Sequence, residues 1–257
     1  KDKIGSFTFV LHSHLPYVLS HGRWPHGTDW INEATAETYI PLLNVFNRLI
    51  NEGISPKVTL GLTPILTEML ANNSFKAEFK TYLGQKLEAA KNDIAEFERL
   101  GQPHYLAVAR MWLDFYRNIY KDFVEKYNQN IVSAFAQLQM NNHIEIITCG
   151  ATHGYFPLLS RDESIQAQVK QAVSSYIRHY GKNPRGIWLP ECAYRPRYEW
   201  KPPVAACKDV KPYMRKGVEE FLSENNIEYF FIDSHLLKGG KAIGVYLDRF
   251  DALKSLW

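Results

Sequence analysis

Apolar positions along the chain follow two periods. Short β-branched and aromatic runs at 7–12, 57–62, 144–148, 185–189 and 229–232 read as strands, the fourth bounded by Pro184 and Pro190. Between the first two, Tyr39, Leu42, Leu43, Phe46, Leu49 and Ile50 recur at helical spacing, with Gly53 as the stop and a polar loop at 21–30 before them. Between the third and fourth, Ile165, Val169, Ala172, Val173, Tyr176, Ile177 and Tyr180 mark the inward face of a helix. Ser160 and Glu163 predict its capping box, and Gly181 its end. A short helix around Val218, Phe221 and Leu222 leads into the fifth strand. Strands separated by helices pair in parallel, so the fold class is α/β.

One interval breaks the alternation. Pro64 suits the first position of a helix. From about Ser74 onward, Phe75, Phe79, Tyr82, Leu83, Leu87, Ala90, Ile94, Phe97 and Leu100 trace a long helix, stopped by Gly101-Gln102-Pro103. Leu106, Ala109, Leu113, Tyr116, Tyr120, Phe123 and Tyr127 then step by three and four, the spacing of a seam between packed helices. A helical hairpin is therefore inserted over about 68–142 of what otherwise reads as one domain. Its aromatic stripe reads as packing, not as a platform for sugar rings.

Composition narrows the function. A chain of 257 residues, 46% hydrophobic and 14% aromatic, can bury a full core without staples. Its 30 basic and 27 acidic residues leave a net charge of +3, which implies neither a nucleic-acid footprint nor a basic membrane patch. Cys149, Cys192 and Cys207 are scattered, as expected of reduced thiols in a cytoplasm. No leader-like or bilayer-length apolar run is visible, so a cytoplasmic protein is expected.

The strand ends carry the candidate chemistry. His12 and His14 leave strand one, Cys149 and His153 follow strand three, Glu191 follows strand four, and Asp233 and His235 follow strand five. In alternating β/α folds this is the end that carries the active site, because the sheet holds the roots of its loops. Core packing does not require such a coincidence. Trp24, Trp30, Trp188 and Tyr194 add aromatic faces, the mixture on which a sugar ring stacks while its hydroxyls are hydrogen-bonded. The residues alone leave three classes open. One is an enzyme acting on neutral carbohydrate; another is a carbohydrate deacetylase with a divalent metal on His12-x-His14, a further His and a carboxylate. The third is a non-catalytic sugar-binding module, which needs no desolvated carboxylate.

Three segments carry a family resemblance: His12-Ser13-His14-Leu15-Pro16-Tyr17, Cys149-Gly150-Ala151-Thr152-His153-Gly154-Tyr155 and Trp188-Leu189-Pro190-Glu191-Cys192-Ala193-Tyr194. In this order they resemble the first three signatures of glycoside hydrolase family fifty-seven, most closely its 1,4-α-glucan branching members and the related amylases. Trp30 and Glu37-Thr38-Tyr39-Ile40-Pro41-Leu42-Leu43 resemble the same subgroup, and the likeness covers nearly the whole chain. The resemblance implies a distorted seven-stranded β/α barrel, here incomplete with five strands, and a retaining mechanism on α-glucan without metal or other cofactor. It assigns Glu191 as nucleophile and His12, His14, Trp30, His153, Trp188, Cys192, Tyr194, Asp233 and His235 to substrate binding. Branching, with transfer to a 6-hydroxyl, is the first expectation; hydrolysis or 4-α-glucanotransfer is the alternative. The family's acid/base is an Asp in a fourth signature that these residues lack.

Overall fold

A computed structural model describes residues 4–201, 211–233 and 236. Five of its strands are parallel and adjacent in chain order: β1 (Val10–Ser13), β2 (Val58–Leu62), β3 (Ile144–Ile147), β4 (Gly186–Trp188) and β7 (Tyr229–Phe231). β3 joins β4 through a single parallel bridge, Thr148 to Ile187, where the Trp188 N–H donates to the Thr148 carbonyl at 2.9 Å. Ladder and bridge make one α/β row, and no closed sheet forms among the described residues. Strand one begins three residues later than the sequence suggests. Phe7 and Phe9 are 83% and 58% exposed, and β-propensity without a surface to bury does not make a strand.

The helices flank this row. α1 (Thr28–Ala34) runs through one π turn at Thr35–Tyr39 into α2 (Ile40–Asn51), so Trp30 stands on a helix instead of ending a loop. α3 (Pro64–Ala71), α4 (Asn73–Arg99), α5 (Pro103–Lys121) and α6 (Ile131–Met140) fill the predicted insertion. Asn72 caps α4 and Gln102-Pro103 opens α5. Only the near half of the α4–α5 hairpin is core: Phe75, Phe79, Tyr82, Tyr116, Ile119 and Phe123 are buried, whereas Leu100 and Tyr120 are 46% and 39% exposed. α7 (Asp162–Tyr180) ends at Gly181 in the left-handed region, as predicted, but Ile177 faces out.

The capping box at Ser160 does not form. Arg161 is the N-cap, without a side-chain bond. The cause is a feature unmarked in the sequence, an antiparallel hairpin of β5 (Tyr198–Trp200) and β6 (Tyr213–Arg215). Its Arg215 is fully buried and donates to Asp162 at 2.8 Å and to the Leu159 carbonyl at 2.6 Å, while Tyr213 donates to the Ser160 carbonyl. These bonds take over the residues that would otherwise cap α7. α8 (Val218–Glu224) then packs Val218, Phe221 and Leu222 against Ile165 and Val169 of α7 and Ile187 of β4. No helix among the described residues is long and apolar enough to cross a membrane.

Candidate functional site

Residues i and i+2 of a strand share a face, so His12-x-His14 sends both imidazoles to one side of β1. There the His12 ring stacks on Trp188 of β4 at 4.8 Å and 16°. β1 and β4 are three inter-strand steps apart, roughly 14 Å in a flat sheet. The contact therefore requires the row to curl, with these rings on its concave side. His12 reaches Trp188 across β2, where its register partner is Gly61. A Cβ on Gly61 would lie 2.8 Å from His12 Nδ1, so only glycine leaves the imidazole its place. Nothing local marks Gly61 for this role, because the register that brings it beside His12 is a tertiary fact. Gly61→Ala is expected to displace the His12 imidazole, and a functional group misplaced by about 1 Å costs on the order of 10²-fold in whatever turnover it supports. The variant's melting temperature should stay close to wild type; unaltered kinetics would show that His12 does not need this space.

His14 stacks face to face on His153, 3.7 Å apart and 11° from parallel. His14 Nδ1 meets the buried Thr63 hydroxyl at 3.3 Å, and that same oxygen caps α3 by accepting from the Leu66 N–H at 3.4 Å. The hydroxyl can donate to Nδ1 of the tautomer protonated on Nε2 or accept from Nδ1–H of the other. His153 sits in the loop after β3, where Gln168 grips the backbone. The Thr152 N–H donates to Gln168 Oε1 at 2.9 Å, and Gln168 Nε2 returns to the Thr152 hydroxyl at 2.7 Å. Only the helix start at Pro64 was marked in the sequence; Gln168, sixteen residues from Thr152, carries no local signal.

Glu191 completes the cluster. Its Oε1 lies 3.9 Å from His153 Nδ1, and its side chain is 71% exposed where that of His153 is 9% exposed. The carboxylate is open to a ligand and is not desolvated, so its burial does not separate an enzyme from a binding module. The backbone is more informative. His153, Glu191 and Cys192 adopt φ of 61°, 57° and 53°, a left-handed region that costs a non-glycine residue about 1–2 kcal/mol. Such conformations cluster where function fixes a side chain's direction.

Burial, before any charge, holds the pKa of His12 and of His14 down to about 4, with His153 adding to both. Burial also lowers that of His153, against the pull of Glu191. Neutral imidazoles both donate and accept, which suits hydroxyl groups. An unfolded histidine binds its proton near 6.5 and these two only near 4. Their contribution to stability is therefore complete above pH 6.5, is lost as pH falls toward 4, and changes no further below it. Thermal melts should decline across that window, and less steeply in a His12→Asn/His14→Asn variant; equal slopes would contradict the assignment.

Trp188 also approaches Phe231 at 5.4 Å. Cys192 is buried, which raises its thiol pKa, and Asp233, exposed beyond the end of β7, adds to the shift. Tyr194 turns away and stacks on Phe230 at 5.5 Å. Trp30 is 43% exposed with His26 as its ring neighbour. His235 and Cys207 lie outside the described residues.

Residues 8–252 match the sequence profile of glycosyl hydrolase family 57. The chain belongs to this family. Within family 57 it is 44% identical over 242 residues to a 1,4-alpha-glucan branching enzyme of Thermococcus kodakarensis, covering 94% of this chain and 34% of that one. The crystal structure of a family 57 branching enzyme from Pyrococcus horikoshii superposes with a TM-score of 0.82 at 42% identity, over 91% of this chain and 42% of its own. An alpha-amylase from Thermotoga maritima gives 0.74 at 32% identity, over 89% and 40%. The chain thus spans about a third of the curated relative's length.

Proposed function

We propose that this chain is the N-terminal catalytic portion of a retaining α-glucan enzyme of family 57 that cleaves an α-1,4 bond and transfers the released chain to a glucan 6-hydroxyl. The observation that carries the reading is the convergence of His12, His14, His153 and Glu191, drawn from three separate signature segments, on the concave side of one curled parallel row. Glu191 is the nucleophile. The three imidazoles hold hydroxyls of the sugar at the cleaved bond, with Trp30, Trp188, Cys192 and Asp233 as further binding groups; the family resemblance assigns His235 the same role. Strands beyond these residues complete a seven-stranded barrel and bring the acid/base Asp.

A deacetylase-like metal set finds no support in the ring geometry. A metal must lie in the plane of each imidazole that binds it, and the near-parallel planes of His14 and His153, 3.7 Å apart, share no such point. Hydrolysis is the second reading, since water and a glucan hydroxyl compete for the same glycosyl-enzyme and only water exclusion and acceptor contacts decide between them. The test is to incubate the full-length enzyme with amylose in excess chelator and analyse the products. New α-1,6 branch points are expected. Reducing ends without branches would make it an amylase, and activity lost to chelator and restored by one divalent ion would move it to the metal-dependent class.

A further inference from the structure

One buried nucleophilic group has no part in this chemistry. Cys149 ends β3 with 1% of its surface exposed, as a free thiol. One ligand atom each from His12, Cys149 and His153 lie within 4.8 Å of one another, and the planes of the two imidazoles, tilted by 31°, are less nearly parallel than those of His14 and His153. His12 Nδ1 and His153 Nε2 are buried nitrogens with no hydrogen-bond partner among the described residues, which leaves lone-pair or donor capacity for a ligand. Around a tetrahedral Zn²⁺, with Zn–N of about 2.0–2.1 Å and Zn–S of about 2.3 Å, neighbouring ligand atoms are roughly 3.3–3.6 Å apart. Contraction by about 1 Å would close the set, and side-chain torsions can supply it.

We propose that His12, Cys149 and His153 form an inhibitory site for a thiophilic d¹⁰ cation, with Zn²⁺ as its representative, distinct from any resident cofactor. The thiol releases its proton to solvent, sulfur and two imidazole nitrogens bind the ion, and water takes the fourth position. Donor type selects the ion: one thiolate with two imidazoles is a borderline-soft set that favours Zn²⁺ over Mg²⁺ or Ca²⁺. Occupancy withdraws His12 and His153 from the sugar, so metal and glucan exclude each other. This consequence rests on the glucan reading; the metal site itself does not.

The test uses reduced, purified full-length protein. Titration with Co²⁺ should produce a near-ultraviolet thiolate-to-cobalt charge-transfer band that Zn²⁺ abolishes by displacement and that is missing in Cys149→Ser. X-ray absorption of the wild-type zinc complex should give one sulfur at about 2.3 Å with nitrogen at about 2.0–2.1 Å, a readout independent of how the variant folds. Zn²⁺ should inhibit turnover of amylose in competition with the glucan, and Cys149→Ser, active without metal, should need at least about tenfold more Zn²⁺ for the same inhibition. No sulfur in the zinc shell, or a band unchanged by Cys149→Ser, overturns the site. A band and a sulfur ligand without competition by glucan would retain the metal site and remove the glucan-binding role of His12 and His153.

Discussion

Glu191→Gln in the full-length enzyme is expected to lower kcat on α-1,4-glucan by on the order of 10⁴-fold or more, the scale on which removing a covalent nucleophile acts. In a retaining mechanism the carboxylate attacks the anomeric carbon and carries the glycosyl group until an acceptor arrives. The amide keeps the size and planarity of the side chain but cannot form that ester-like bond. The 71% exposed side chain makes few contacts that folding depends on, so the variant should melt close to wild type. Its amide also remains near His153, so substrate binding should survive. Mass spectrometry of enzyme stalled on a slow substrate should show a glycosyl group on Glu191 in the wild type and none in the variant. A label on another residue would end the assignment.

The legibility of this chain followed the range of the interactions. Elements whose cues are local were readable: the five parallel strands, Pro64 at the head of α3, Pro103 at the break between α4 and α5, and Gly181 in the left-handed region. The site was readable at the strand ends for the same reason, since the two-residue period of a strand forces His12 and His14 together. Features decided by distant partners were not. The Ser160 box is a good local signal that lost to Arg215, fifty-three residues from Asp162, because a buried guanidinium left unpaired would cost several kcal/mol. Gly61 reads as an ordinary strand glycine until β1 lies beside it. Tyr194, an apparent sugar-facing ring, instead meets Phe230 once β4 and β7 pair. Glu191 owes its direction to two consecutive left-handed residues that no residue type announced.

A fragment of residues 1–257, assayed alone on amylose, is expected to turn over at least about 10²–10⁴-fold more slowly than the full-length enzyme, the contribution of a missing general acid. Retention needs a second carboxyl about 5–5.5 Å from the nucleophile, first to protonate the leaving oxygen and then to activate the acceptor. Without it Glu191 must expel an alkoxide, a poor leaving group. The neighbouring strand end offers Asp233, which is exposed and electrostatically close to Cys192. The family resemblance makes Asp233 a sugar-binding residue and assigns the acid to a later strand. Among the described residues β1 and β7 each pair on one side only. The decisive comparison is the fragment beside the same fragment carrying Asp233→Asn, with circular dichroism to establish that both are folded. Turnover near the full-length rate that vanishes on Asp233→Asn would make Asp233 the acid and place both catalytic carboxyls on β4 and β7. Slow turnover, indifferent to that substitution, is the outcome that Glu191 without its partner requires.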